Sequence, residues 1–237
     1  MFLSIIIPTK NEEAHLGALL KELAAQSFRD TEIIVADARS TDRTRDIAAR
    51  YKARIVNGGS PGEGRNVGVE HARGDLLLFL DADVRLPSKH FLRDALKEMR
   101  LRQLDVMAVR VLPYQGRFLD RAMHRVYNWY VRVTVSFHPH AAGACLFSKR
   151  YIHLALDGFD ESITLAEDVD YVRRGSEIGN FGILKAFPIY VSTRRMDKEG
   201  RRRMALKYLR AEAHIVRKGP IRNGRIPYDY NYDNDRT

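Results

Sequence analysis

An open, mostly parallel α/β sheet flanked by helices is the fold class this sequence predicts, and three observations predict it. Short β-branched runs alternate with helical patterns through the first hundred residues. One of those runs, Leu76–Leu80, is apolar at every position, as a central strand covered on both faces must be. Acidic residues follow the predicted strands directly, at the carboxyl ends where ligands of such sheets bind.

Each element follows in order. Residues 2–8 read as a buried strand, and residues 11–26 carry Leu16, Leu19, Leu20 and Leu23 at helical spacing. A second strand is expected over 31–36, a helix over 42–51 capped by Ser40 or Thr41, and a short strand over 53–56. A glycine-rich turn, Gly58-Gly59-Ser60-Pro61-Gly62-Glu63, leads to a helix over 64–73. This strand–helix order implies right-handed crossovers. Beyond the apolar strand the pattern is less regular. Strands are expected over 106–112, 144–147 and 183–191, and helices over 118–135, 167–177 and 200–218. Trp129 and Tyr127, on the long helix, read as core. The chain divides into a principal domain over 1–195, with a sheet half (1–105) and a second half (106–195), and a helical extension over 196–237.

The 237 residues are enough for one sizeable core. No apolar run approaches the roughly 18–20 residues of a membrane span. The first residues lack a basic leader and a small-residue cleavage site, and the single cysteine, Cys145, excludes an intrachain disulfide and a zinc cluster. A cytoplasmic setting is expected, with Cys145 a small buried residue. The net charge of +10 calls for an anionic partner. Between Arg194 and Arg225 twelve basic residues face only Asp197, Glu199 and Glu212. A solvated basic helix and a contact with phosphate groups both explain that excess.

The chemistry concentrates in three acidic segments. Asp37 and Asp42 follow the second strand, Asp81 and Asp83 follow the apolar one, and Glu167, Asp168 and Asp170 open a later helix. Any one of these would serve as a helix cap. Their joint placement is harder to explain that way. Asp81 and Asp83, one residue apart at the rim of an apolar sheet, would repel without a counter-charge. A hard divalent cation relieves this, since Mg²⁺ takes one or two carboxylates together with substrate phosphates. The glycine-rich turn, with free backbone N–H groups and Arg65, offers a site for the phosphates. His138 and His140 read as polar loop contacts in preference to metal ligands.

The ordered set Ser4-Ile5-Ile6-Ile7-Pro8-Thr9-Lys10-Asn11-Glu12-Glu13, Glu32-Ile33-Ile34-Val35-Ala36-Asp37, Ser40-Thr41-Asp42, Gly64-Arg65-Asn66, Gly74-Asp75, Leu80-Asp81-Ala82-Asp83, Gly158-Phe159-Asp160-Glu161 and Glu167-Asp168 resembles the family 2 inverting glycosyltransferases. The resemblance covers residues 2 to about 195. It implies the A-type, Rossmann-like nucleotide-binding fold and transfer of a sugar from a UDP- or GDP-sugar, with Mg²⁺ or Mn²⁺. By that resemblance Pro8, Thr9 and Glu12 would line base and ribose, and Asp37 would accept a hydrogen bond from the base. Arg65 would lie near the nucleotide, Asp81 would meet ribose or metal, and Asp83 would ligate the metal. Asp168 would be the catalytic base, held ionised by N–H groups at its helix start. Gly143, Ala144, Glu167 and Arg194 would lie by the donor sugar or acceptor. The family pattern has two acids where this chain has Ala36-Asp37, and a small residue where it has Arg39, so base preference stays open.

Three classes of function stand at this point. The first is sugar transfer to a hydroxyl on a lipid carrier, glycan or small molecule. A sugar nucleotidyltransferase is the second, but its arginine-containing phosphate loop belongs near the first strand, where this chain has Pro8-Thr9-Lys10-Asn11. A non-catalytic binder of polyanions or membranes is the third, and it leaves Asp81, Asp83 and Asp168 idle. The basic segment is expected to meet an anionic membrane surface peripherally, no nucleic acid is expected, and Tyr228, Tyr230 and Tyr232 suit a homodimer contact.

Overall fold

The alternating pattern of the first eighty residues folds as strands β1 (Leu3–Thr9), β2 (Thr31–Asp37), β3 (Arg54–Asn57) and β4 (Leu76–Leu80), joined by helices α1 (Leu16–Ala24), α2 (Thr44–Arg50) and α3 (Pro61–Glu70). The computed structural model describes residues 2–135 and 137–222, so the tyrosines of the tail lie outside the described residues. After β4 come β5 (Val84–Arg85), α4 (Phe91–Leu101), β6 (Val106–Ala108), β7 (Val111–Pro113), α5 (Phe118–Thr134), β8 (Cys145–Lys149), α6 (Arg150–Ala155), β9 (Ile163–Leu165) and α7 (Glu167–Ile178). The chain continues through β10 (Phe181–Ile183), β11 (Ile189–Val191), α8 (Arg194–Glu199), α9 (Arg201–Lys218) and β12 (Ile221–Arg222).

Among the described residues the main sheet has seven strands in the order β10-β6-β8-β4-β1-β2-β3. Its strands pair in parallel except around β8, which runs antiparallel to both β4 and β6. Alternation along the strands fills both faces. Leu3, Ile5, Ile7, Leu76, Leu78 and Leu80 pack with α1 and α4, whereas Ile6, Leu77 and Phe79 pack with α3, α6 and α7. Gly68 lets α3 lie directly on β1: a Cβ there would come within 2.3 Å of Ile6.

Two expected strands are each divided between sheets. The run 106–112 leaves the main sheet after Ala108, and Val111–Pro113 instead joins β11 in the sheet β5-β11-β7. The run 183–191 breaks where Glu98 accepts the N–H groups of Lys185 and Ala186, and Pro188 offers none. Apolar runs show no sign of such a switch, because both pieces stay buried. Helix starts also move. Residues 11–15 form a turn before α1, and α3 begins at Pro61 because Ser60 and Glu63 make a capping box. Ser40 does not cap α2, since its hydroxyl donates to Asp37.

The segment after α8 docks. Arg201 donates two hydrogen bonds to the buried Asp120 of α5, at 2.6 and 2.9 Å. β12 pairs with β9, and Ile221 packs with Leu165, Ala211 and Ile215. Tyr127 packs at the core, but Trp129 does not: it is 65% exposed, against the expectation from sequence. No described helix is long and apolar enough to cross a membrane.

Candidate functional site

The carboxyl ends of β1, β2 and β4 form the rim on which the predicted residues gather. Two turns there lock together. Asn11, Glu12 and Glu13 donate backbone N–H groups to Ser40 Oγ, Thr44 Oγ1 and Asp42 Oδ2 at 2.8–2.9 Å, and Thr41 N–H returns a bond to Asn11 Oδ1. The Asn-Glu-Glu and Ser-Thr-Asp motifs are therefore two halves of one clasp. Arg39 sits at φ +56°, a left-handed conformation that favours small residues, and its carbonyl accepts a bond from Lys10 Nζ.

Asp37 ends β2. Its carboxylate is 0% exposed and accepts hydrogen bonds from Thr9 Oγ1, from the N–H and hydroxyl of Ser40, and from Arg45. It anchors the end of β1 to the turn after β2. Thr9 is also buried, directed at Asp37, with Pro8 just before it.

Arg65 belongs to α3. It is only 3% exposed, and its terminal nitrogens are spent on Glu167 (2.6 Å) and Asp81 (3.0 Å). Burial opposes its charge, but Asp81, Glu167 and Asp168 outweigh that and hold it protonated. It ties Asp81, just after β4, to α7. In the glycine-rich turn Ser60 N–H donates to Glu63 and Glu63 N–H to Ser60. Asn66, the next residue, exchanges both amide bonds with the backbone of Phe159, at 2.8 and 2.9 Å. Phe159 in turn stacks on Tyr171 of α7 with centroids 4.2 Å apart. The Gly-Arg-Asn and Gly-Phe-Asp-Glu motifs thus form one brace beneath Glu167 and Asp168.

Asp168 opens α7 just after Ala166, whose φ of +64° is a strained geometry for a residue with a Cβ, costing about 1 kcal/mol. Gly143 N–H donates a short hydrogen bond to Asp168 Oδ2, and Val169 N–H donates to Oδ1. A Cβ on Gly143 would lie 2.7 Å from Asp168, so only glycine permits this approach. The adjacent Ala144 carbonyl accepts from Asp81 N–H at 3.0 Å, which brings the 143–144 loop between the two acidic segments. Sequence led us to expect the two N–H groups to hold Asp168 ionised, but they are outweighed. Burial and the Glu167 charge outweigh Arg65 and both amides, raising its pKa to about 7.

On the other side of the rim, Arg194 of α8 reaches across from the second half of the chain. Its guanidinium meets Glu12 at 2.5 Å and Asp83 at 3.5 Å. Glu12 is 6% exposed, and Oε2 is a buried oxygen without a hydrogen-bond partner. Burial lifts its pKa to about 7 despite Arg194, with Asp83 and Asp81 adding to the rise. Burial also raises Asp81 against the pull of Arg65, helped by Asp83 and Glu167. Glu12, Asp81, Asp83, Glu167 and Asp168 thus share two guanidiniums, a local excess of negative charge. A partnerless buried oxygen and crowded carboxylates are the donor set a hard divalent cation takes, and Asp81 and Asp83 are the residues that would hold it.

His138 and His140 pair with Glu212 of α9 instead, at 2.9 and 3.3 Å, and Tyr130 donates to the same carboxylate at 2.7 Å. These three side chains lie close enough to share an ion, but the Arg173 guanidinium packs directly on His138. They fasten the loop before Gly143 to α9. Sequence reasoning missed Glu212 and Arg45 as partners, having no local signal for either, and Asn66 as a brace, although it stands inside a quoted motif.

The family model described as Glycosyl transferase family 2 matches residues 4–151. Poly(ribitol-phosphate) beta-N-acetylglucosaminyltransferase TarS of Staphylococcus aureus is 33% identical over 135 residues, 53% of this chain and 23% of that protein. A 4,4'-diaponeurosporenoate glycosyltransferase of Staphylococcus haemolyticus is 33% identical over 144 residues, 57% of this chain and 36% of that one. The chain therefore spans between a quarter and a third or so of these relatives' length. The structure of S. aureus TarS 1–349 with UDP-GlcNAc superposes with a TM-score of 0.67 over 81% of this chain and 58% of that one, at 25% identity. The mannosyltransferase PcManGT of Pyrobaculum calidifontis gives 0.71 over 92% and 65%, at 20% identity, a likeness of fold. With its motifs interlocked in the family's order around one acidic crevice, this chain belongs to glycosyl transferase family 2.

Proposed function

We propose that the chain transfers a sugar from a nucleoside diphosphate sugar to an acceptor hydroxyl, with inversion, and that Asp168 is the general base. The observation that carries this reading is the setting of Asp168: fixed by Gly143 and Val169 N–H groups, with a pKa of about 7, beside the Asp81-Ala82-Asp83 segment. A base poised near the working pH is the efficient choice for taking a hydroxyl proton. Inversion needs only one such carboxylate, on the side of the sugar away from the leaving diphosphate.

In this reading Asp83 and Asp81 would hold Mg²⁺ or Mn²⁺, whose charge would assist departure of the diphosphate. Pro8, Thr9 and Glu12 border the nucleoside, with Glu12 and Arg194 as the pair that bridges the two halves of the chain over it. Arg65 and Glu167 keep Asp81 and Asp168 in place. Gly143 and Ala144 line the sugar. The donors bound by similar proteins, UDP-GlcNAc in TarS and GDP-Man with Mn²⁺ in PcManGT, support a nucleotide sugar and a divalent metal. The acceptor belongs to the broad class of hydroxyls on a lipid carrier, glycan or small molecule.

The test is calorimetric titration of UDP and GDP, each with Mn²⁺ and with EDTA, followed by transfer assays. Asp83→Ala is expected to lose the metal-dependent part of nucleotide binding. Asp168→Asn is expected to keep that binding and to lower transfer by about 10²–10⁴-fold. Equal turnover by Asp168→Asn would remove it from the base role.

A further inference from the structure

The surface formed by α5 and α9 has a composition that the crevice does not explain. Phe118, Leu119, Val126, Trp129 and Val133 on α5 are each more than half exposed, as are Leu206, Leu209 and Val216 on α9. The two helices run side by side in the same direction, since Asp120 meets Arg201 and Tyr130 meets Glu212. These contacts fix which side of each helix faces the other. Around α5, at about 100° per residue, Val126, Trp129 and Val133 lie between the inward Tyr130 and a row of exposed arginines, Arg121, Arg125 and Arg132. Around α9, Leu206, Leu209 and Val216 lie between the inward Glu212 and a second exposed row, Arg203, Arg210 and Arg217. The two apolar strips turn to the same side. They make one band with arginines along both outer edges, and neither helix carries an acid on its exposed face: Asp120 is buried and Glu212 is engaged.

We propose that this band is a docking surface for an anionic lipid bilayer, with Trp129 and its apolar neighbours entering the interface and the two arginine rows meeting headgroup phosphates. Interfacial helices combine apolar area with basic flanks in this way, and each arginine near an anionic surface contributes about fivefold in affinity. Charge decides between occupants. A second copy of the chain would set arginine rows against one another, whereas an anionic surface meets both rows at once. The expectation from sequence placed contact with an anionic acceptor or membrane surface in the C-terminal basic segment and the aromatic tail; the fold adds α5 and its apolar strip. The inference does not rest on sugar transfer, because none of these side chains belongs to the crevice.

Trp129 is the only tryptophan, so its emission reports directly on the band. The experiment mixes the full chain with vesicles of phosphatidylcholine alone, or mixed equally with phosphatidylglycerol, at low and high salt. The expected result is co-sedimentation and a blue shift of Trp129 emission with the anionic vesicles only, weakened by salt. Replacing Arg203, Arg210 and Arg217 together by Gln is expected to cut partitioning by about 100-fold. Val126→Ser with Val133→Ser is expected to abolish the blue shift. Circular dichroism and unchanged nucleotide affinity show that the variants fold. No sedimentation overturns the proposal, as does sedimentation with Trp129 emission unmoved, which would mean a purely electrostatic contact. Self-association in place of vesicle binding overturns it in favour of a second copy. Donor turnover without vesicles, measured separately, reports on the crevice alone.

Discussion

At the residue scale, Gly143 and Asp168 depend on each other. The hydrogen bond between them requires an approach that a methyl group forbids, with 2.7 Å left where a Cβ would meet the carboxylate. Gly143→Ala is expected to push Asp168 off its position and to lower transfer by about 10²-fold. UDP or GDP affinity should be unchanged, because neither residue faces the nucleoside in the proposed arrangement. A fall in nucleotide affinity equal to the fall in turnover would contradict that arrangement. Sequence reading found both residues through the family resemblance. It expected Asp168 to be held ionised, because amides at a helix start are visible in a sequence while burial and the effect of the Glu167 charge must be seen in space. Asp37 shows the same limit: a rim carboxylate in sequence becomes a buried anchor once Thr9, Ser40 and Arg45 surround it.

At the scale of elements, α3 and α7 are braced through Asn66 and Phe159. Asn66→Ala leaves the N–H and carbonyl of Phe159 without those partners, and the expected cost is about 2 kcal/mol, read as a lower urea midpoint with an unchanged slope. Because Phe159 lies under Tyr171, the same variant should loosen α7 and reduce transfer more than nucleotide binding. Intact turnover would mean that α7 holds Asp168 without the brace. Many elements were legible, because amphipathic periodicity marks α1, α5 and α7 and apolar runs mark β1, β2 and β4, whereas α4 went unread. The divided strands were not. Sheet membership is set by partners such as β8 and β11, distant in sequence, and an apolar pattern is the same on either sheet.

For the whole molecule, the crevice couples stability to pH. Glu12 and Asp168 ordinarily titrate near 4.5 and 3.8, and the fold raises both to about 7. Between those values the folded state binds more protons than the unfolded chain. Their contribution to stability is therefore full below the ordinary values and is lost as pH rises through about 7. Without nucleotide and metal, the melting temperature is expected to fall between about pH 5 and about pH 8, and Glu12→Gln to reduce that fall. An identical fall in Glu12→Gln would show that Glu12 is already ionised in the folded protein. Carboxylates held low, such as Asp120 by Arg201 and Asp160 by Ser162 and Arg222, act in the opposite direction and lose their contribution only as pH drops through their depressed pKa values.

Sequence was sufficient for the α/β class, the succession of the first strands and helices along the chain, and the family. Those depend on local periodicity and on short motifs whose chemistry is carried within a few residues. Tertiary structure alone decided which acids are anchors and which share the crevice, because burial and charge balance sum over residues far apart in the chain. It also decided that α5 and α9 turn their apolar strips to the same side. Periodicity finds an apolar stripe on a helix, but only packing determines whether that stripe is covered.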